Sequence, residues 1–339
     1  MKSQTLTIAV FLCSLCALLK AQESDYSCWQ ARLDDNRIVS TLSIPGAHNA
    51  ATGYGIYFFS GLGKTQELTL AELWDCGIRA FDLRVAISGE KLHIYHSIAK
   101  CKVSFNDAID VICEKLSAHP QEFAIVLLRE EGDSENSRER ALWAETVGEA
   151  IASLGEKAAN FSTTMTVGDL RGKILFLTRN EYIGCRRGAL IRGWSHAESG
   201  TTDGEIASLA GDDRAQLYVQ DFFDTTDKER QRAKEAAVTR FISLAGTAPA
   251  NVWTINFLSA YSSTLLGFTP FATTSGYKRN ATRVNSAVAR CLAINGRRAT
   301  GILFMDFAGV DKARGGLWHW APFQTEGKKV TELIIESNF

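Results

Sequence analysis

The sequence predicts an α/β fold, a single imperfect (β/α)₈ barrel of the TIM type. Three observations lead there. Apolar runs of strand length recur along the 339 residues. Stretches with helical spacing lie between most of them, the alternation that builds a parallel sheet with helices outside it. Nothing divides the chain: it has no internal repeat, no low-complexity segment and only five prolines, none clustered. One domain is therefore expected over residues 22–339.

Residues 1–21 come first and read differently. Lys2 is a minimal basic start, residues 6–19 are an apolar core, and Leu19, Lys20 and Ala21 form a cleavage site. Those are the three parts of a secretory leader. The core is shorter than the roughly 20 residues that a membrane span needs. Cys13 and Cys16 each follow a leucine, where a lipoprotein signal carries a small residue. A secreted or periplasmic protein is expected.

The first strand candidate, residues 39–44, stops at Pro45 and Gly46, and His48 stands just beyond the break. A strand, a sharp turn and an imidazole are how a barrel presents a catalytic group at its C-terminal face. Thr69, with Glu72 three residues later, marks a helix start. Residues 78–84 alternate: Ala80, Asp82 and Arg84 share one face, Phe81 and Leu83 the other. Outer helices suit the apolar face, so Asp82 and Arg84 are expected to point into the barrel mouth. Residues 92–96 follow too soon for a helical crossover, with room only for a loop around Ser88 and Gly89. Either the barrel is distorted there or the two strands form a hairpin. Residues 104–116 carry Phe105, Ala108, Ile109, Ile112 and Leu116 on one helical face. Strand candidates follow at 123–129, 173–179, 217–221, 252–258 and 302–307, with helical patterns at 227–244 and 280–294. Residues 180–215 are irregular.

Five strands end in a charged residue: Arg84, Arg129, Arg179, Asp221 and Asp306. Such groups are costly to bury unless paired. One alone is commonly a structural ion pair, but five at the same end of a barrel make a site. His96 ends another strand, on the side of Leu92 and Ile94, and Asp306 shares a face with Phe304.

These residues resemble a known family. Residues 42–49, Phe81-Asp82-Leu83-Arg84, residues 92–96, Tyr218-Val219-Gln220-Asp221 and Phe304-Met305-Asp306-Phe307 together are similar to bacterial phosphatidylinositol-specific phospholipase C, the phospholipase C X-domain family. The likeness runs from about Cys28 to the C-terminus. It implies attack of the inositol 2-hydroxyl on phosphorus, releasing diacylglycerol and inositol 1,2-cyclic phosphate. His48 matches the general base, Asp306 the carboxylate that orients it, Arg84 the cation on the phosphate, and His96 the general acid. Imidazole suits both proton transfers because its ordinary pKa lies near working pH. Arg129, Arg179 and Asp221 match groups that hydrogen-bond inositol hydroxyls, and Asp82 is placed with them.

The chain departs from that pattern twice. Asn49 stands where bacterial members usually carry an aspartate that helps the general acid, and an amide supplies no charge. Phe223 stands where many members stack a tyrosine under the inositol. Asn49 is instead like the animal relatives, which hold calcium with an asparagine and acids at the positions of Arg84 and Arg129. Two guanidiniums repel calcium and Asp82 alone makes no calcium site, so no metal and no cofactor are expected. A metal-dependent glycerophosphodiesterase needs acidic ligands where this chain has arginines. A catalytically silent inositol-lipid binder should have lost a histidine, and both are present.

The formal net charge of −1 gives no basic surplus for nucleic acid. The partners expected are an inositol lipid and, transiently, a membrane surface, for a monomer. Tyr57, Phe58 and Phe59 are the expected membrane-interface residues, and the apolar residues 257–277 form a second such segment unless they pack under one another. His93, His119, His196 and His319 show no partner pattern. Residues 130–135 read as a solvated rim, and Trp194 either lines the mouth or fills core. Six cysteines remain after the leader, with no C-x-x-C spacing. They are either paired in a way the sequence does not select or buried as thiols.

Overall fold

The structure, a computed structural model, describes residues 25–57, 63–89, 91–131, 137–194, 201–210, 214–261, 273–315 and 321–339. The strands of its main sheet, in chain order, are β1 (Ser43–Ala47), β2 (Ala80–Ser88), β3 (Lys91–His96), β4 (Ala99–Ser104), β5 (Ala124–Glu130), β6 (Ile174–Thr178), β7 (Ala189–Arg192), β8 (Glu205–Ala210), β9 (Gln216–Gln220), β10 (Val252–Phe257) and β11 (Gly301–Met305). β1 pairs in parallel with β2 on one side and β11 on the other, which closes the sheet into a barrel. The circuit runs β1-β2-β5-β6-β7-β8-β9-β10-β11. Every neighbouring pair in it is parallel except at β8, which is antiparallel to both β7 and β9.

Helices cross outside: α1 (Leu70–Asp75), α2 (Phe105–Ala118), α3 (Ser137–Ser153), α4 (Val167–Leu170), α5 (Lys228–Ala245), α6 (Thr274–Asn295) and α7 (Gly327–Glu336). α1, α2 and α4 each begin with a capping box, Thr69 with Glu72, Ser104 with Asp107 and Thr166 with Asp169. Each box satisfies two backbone N–H groups that a helix start leaves unpaired. The barrel is imperfect in the two places the sequence marks as irregular. β3 and β4 form an antiparallel hairpin hung on the outer half of β2, so residues 92–96 are not a barrel strand. Between β6 and β9, the antiparallel β8 stands where a regular barrel has a helical crossover.

Strand alternation sorts the core into two layers. Ile44, Ala80, Ile125, Leu127, Leu175, Leu217, Val219, Trp253, Ile255, Ile302 and Phe304 fill the barrel. Phe81, Leu83, Val126, Leu128, Leu303 and Met305 face outward onto Ile109 and Ile112 of α2, Val238 of α5, Val288 of α6 and Ile334 of α7. Gly46 belongs to the inner face. A Cβ there would lie 2.8 Å from the Phe304 ring and 3.1 Å from the Ala80 Cβ, so only glycine lets these strands close beneath His48.

The first strand is shorter at its start than its apolar pattern suggests. Residues Val39–Thr41 form a 3-10 turn and β1 begins at Ser43. Val39 and Leu42 join Trp29 and Leu33 as the barrel floor. Beside them the fully buried Arg79 and Glu122 pair at 2.8 Å, and Arg79 also donates to the Trp74 and Ile78 carbonyls. Cys28, Cys76, Cys101, Cys113, Cys185 and Cys291 are all free thiols. No described helix is long and apolar enough to cross a membrane.

Candidate active site

Only four described non-glycine residues have positive φ: Asn49, Ser97, Phe307 and Glu326. Three of them directly follow His48, His96 and Asp306. A left-handed backbone costs an L-residue about 1–2 kcal/mol, least for asparagine, and persists where neighbours over-determine it. Each of the three is pinned through its own N–H. Asn49 donates to Asp82 Oδ2 at 3.2 Å, Ser97 to Glu131 Oε1 at 2.5 Å, and Phe307 to the Thr65 carbonyl at 2.7 Å. The turns end the strands abruptly and fix the direction of the preceding side chain, so that His48 and His96 line the mouth and Asp306 stands behind His48.

His48 is 6% exposed and its hydrogen bonds define its tautomer. Nδ1 lies 2.7 Å from Asp306 Oδ1, an acceptor, so Nδ1 carries the proton. Nε2 faces two donors, the Asn49 amide nitrogen at 2.9 Å and Arg84 Nη2 at 3.1 Å. It therefore presents a lone pair. Burial, then the positive charge of Arg84 and the neighbouring His96, hold the imidazole well below its ordinary pKa. Burial raises the Asp306 carboxyl well above the usual carboxylate range, with Lys234 and Arg84 pulling it back. This is a neutral imidazole with its acceptor nitrogen free of a proton.

Arg84 lies two residues after Asp82 in β2, with Nη2 3.5 Å from Asp82 Oδ2. Burial alone would weaken the guanidinium's charge, but Asp82, Glu131 and Asp221 outweigh it and raise its pKa. It is a fixed cation beside His48. His96 lies across from His48, ring centroids 6.0 Å apart. Its Nδ1 is 2.5 Å from the Gly63 carbonyl and its Nε2 3.3 Å from the Tyr277 hydroxyl. Burial and then Arg84 lower its pKa.

A cleft of about 330 Å³ brings His48, Arg84, His96, Arg129, Asp221 and Phe223 together, with Glu131, Tyr261 and Tyr277. Arg179 is not among the residues that line this cleft. Its guanidinium lies 3.7 Å above the Trp194 ring, and burial, with Arg129 nearby, lowers its pKa to about 10. Burial raises the Asp221 carboxyl, against the pull of Arg179 and Lys234. Phe223 packs at a tilt against Tyr261, ring centroids 5.9 Å apart. Asp82 sits just behind, between Asn49 and Arg84. Tyr57 is 57% exposed on the segment beside β4, whereas Phe58, Phe59, His196 and His319 lie outside the described residues.

Some residues that build the site gave little signal in the sequence. Asn49, which the sequence did mark, reaches His48 and not His96 through its amide. Glu131 is not part of a solvated rim: it is 9% exposed and its carboxylate holds the turn after His96. Phe257 is barrel core, 5.9 Å from the His48 ring and stacked on Phe304, so the apolar residues after β10 begin by packing inward. Gln66 donates to the His48 and Met305 carbonyls and accepts from the Ala308 N–H, tying the turn after β1 to the one after β11. Lys234 reaches in from α5 to the Phe257 carbonyl at 2.6 Å and to Gln220 Oε1, and burial brings its ammonium down to about 7.

Known proteins resemble this chain in sequence and in fold. The family described as phosphatidylinositol-specific phospholipase C, X domain, matches residues 48–180. The 1-phosphatidylinositol phosphodiesterase of Staphylococcus aureus (strain Newman) is 26% identical over 295 residues, 83% of this chain and 88% of that protein. A solved structure of phosphatidylinositol-specific phospholipase C from Staphylococcus aureus superposes with a TM-score of 0.70 at 20% identity, over 93% of this chain and 98% of that one. The enzyme of the same description from Listeria monocytogenes superposes with a TM-score of 0.65 at 22% identity, over 93% and 99%. The shared fold is a distorted TIM barrel.

Proposed function

This chain belongs to the bacterial phosphatidylinositol-specific phospholipase C X-domain family, and we propose on that footing that it cleaves phosphatidylinositol by internal phosphotransfer. His48 Nε2 takes the proton of the inositol 2-hydroxyl as that oxygen attacks phosphorus. Asp306 stabilises the imidazolium that forms, the histidine–carboxylate logic of hydrolytic triads. Arg84 meets the charge that builds on the non-bridging oxygens. His96 supplies the proton for the departing glycerol oxygen, and the products are diacylglycerol and inositol 1,2-cyclic phosphate. Arg129, Arg179 and Asp221 bind inositol hydroxyls, and the Phe223 ring covers a face of the sugar.

The observation that carries this reading is the His48 lone pair, aimed at the same cleft as the Arg84 guanidinium and the second imidazole. A fixed cation already stands where a metal would otherwise be needed, so the reaction proceeds without one. Residues 1–21 serve as the export leader, and the mature monomer meets its lipid outside the cytoplasm. Tyr57 and Ile98, 57% and 82% exposed, contact the lipid–water interface with Phe58 and Phe59.

Phosphorus NMR of phosphatidylinositol digested in excess chelator tests the reading. A cyclic phosphate resonance is the expected product. Silence under chelator would select a metal-dependent phosphodiesterase, and silence with and without it a lipid-binding barrel.

A further inference from the structure

Protonating an alkoxide leaving group is the demanding half of this reaction, and His96 differs from His48 in how it is held. Among the described residues His48 has carboxylates at both nitrogens, Asp306 at 2.7 Å and Asp82 at 3.9 Å. No described carboxylate forms a comparable ion pair with His96. Its Nδ1 is taken up by the Gly63 carbonyl, which can only accept, so that nitrogen keeps its proton in every state. The nitrogen left for chemistry is Nε2, and Nε2 faces the Tyr277 hydroxyl at 3.3 Å.

Tyr277 is not placed there by chance packing alone. It lies in the first turn of α6, where its N–H bonds the Thr273 carbonyl and the Thr273 side chain caps the helix through Gly276. The ring lines the cleft and is 5% exposed, 5.5 Å from the His96 ring and 6.5 Å from the His48 ring. A hydroxyl can donate one hydrogen bond. While His96 is neutral, the phenol donates it to Nε2. Once Nε2 carries a proton, that N–H donates to the phenol oxygen instead, and the phenol hydrogen is released toward the cleft.

We propose that Tyr277 is the terminal proton donor of this site, relaying the His96 proton to the departing oxygen. The inference rests on the phosphotransfer reading above. As the bond from phosphorus to the glycerol oxygen breaks, its electron pair stays on that oxygen, which takes the phenol proton. The phenol oxygen takes the proton from Nε2 in the same step. Tyrosine ends as it began, imidazolium becomes imidazole, and the alcohol leaves neutral. Burial raises the phenol's pKa, so it stays protonated between turnovers. The charges facing His96 are Arg84 and Asp82 from β2 and Glu131 after β5. None of them stands between the imidazole and Tyr277.

The test is Tyr277→Phe, assayed on phosphatidylinositol and on an inositol aryl phosphate whose nitrophenolate needs no proton to leave. A proton-transfer group contributes about 10²–10⁴-fold. The expected result is a loss of kcat of at least about 10²-fold on the lipid, less than about threefold on the aryl ester, and KM little changed on either. Equal losses on both substrates, or full activity on the lipid, would overturn the relay. Nitrogen-15 NMR of the imidazoles separates this failure from that of the parent reading, because it needs no turnover. If the wild type makes no cyclic phosphate, the phosphotransfer reading fails and the relay with it. The hydrogen bond beneath is then judged alone: it stands if Tyr277→Phe moves the His96 Nε2 resonance while Nδ1 stays, and falls if neither moves.

Discussion

Replacing Asp306 by asparagine isolates what its charge contributes. The carboxylate lies 2.7 Å from His48 Nδ1 and its side chain is buried. An amide oxygen can accept the same Nδ1 proton, so both shape and tautomer can survive the change. What disappears is the anion beside the imidazolium that the proposed reaction forms when Nε2 takes the inositol proton. Unit charges about 4 Å apart at an effective dielectric of about 20 attract by about 4 kcal/mol. Since about 1.4 kcal/mol is a factor of ten in rate, kcat should fall roughly 10³-fold. KM should hardly move, because Asp306 does not line the cleft. Initial rates on phosphatidylinositol in detergent micelles, measured across pH, read both quantities. The acidic limb of the profile should also shift to lower pH, since the imidazole loses the charge that favours its protonation. A loss of less than about tenfold with an unmoved acidic limb would refute the role given to this pair.

Arg84→Lys keeps the charge but loses the planar pair of donors, so activity should drop by at least about tenfold while the variant, like the wild type, ignores chelator in the same assay. Gln66→Leu leaves buried backbone groups short of partners, each worth about 1–3 kcal/mol. Urea denaturation should show about 2–3 kcal/mol lost, and kcat should fall because the turns after His48 and Asp306 loosen together. Both site histidines are held below their ordinary value of about 6.5 by burial, so below that pH the unfolded chain binds more protons. Their stabilising contribution is present above about pH 6.5 and is lost as pH falls, by up to about 1.4 kcal/mol per histidine per pH unit. The raised carboxyls of Asp306 and Asp221 act with the opposite sign, so the test is a comparison: His48→Gln with His96→Gln should flatten the fall of the urea midpoint between about pH 6.5 and 5. Tyr57→Ser with Ile98→Ser should weaken binding to phosphatidylinositol vesicles, read by sedimentation, and spare hydrolysis of soluble inositol cyclic phosphate.

Much of this was legible because two periodicities carry it. Alternation in β2 put Asp82 and Arg84 on the inner face with Ala80, and the barrel keeps them there. The run of charged strand ends from Arg84 to Asp306 converges on one mouth because parallel strands share one C-terminal end. What escaped reading depends on contacts far apart in sequence. Glu131 looked like surface because acids surround it, yet the turn at Ser97 buries it. Gln66 sits in a stretch with no period at all, and its role exists only once β1 and β11 are neighbours. The 280–294 pattern marks the body of α6, but the helix starts earlier, at Thr274, and that first turn contains Tyr277. α3 carries Trp143, Val147 and Ile151 at helical spacing, buried against the sheet, but a charged preface hid its start.

The left-handed residues after His48, His96 and Asp306 have a consequence for how such a protein can change over time. A side chain followed by a free loop inherits every shift of that loop. Here each chemical group is followed by one residue whose N–H is anchored to a carboxylate or carbonyl elsewhere in the barrel, so displacement in the loop beyond stops at the anchor. The rim is thereby insulated from the chemistry. Insertions, deletions and new surface charge can accumulate past Asn49, Ser97 and Phe307, adapting the mouth to different membranes, while the two imidazoles and the carboxylate keep their aim. A substitution at Asp82 or Glu131 removes such an anchor, and it would rejoin loop and site and make each rim mutation felt at the two imidazoles.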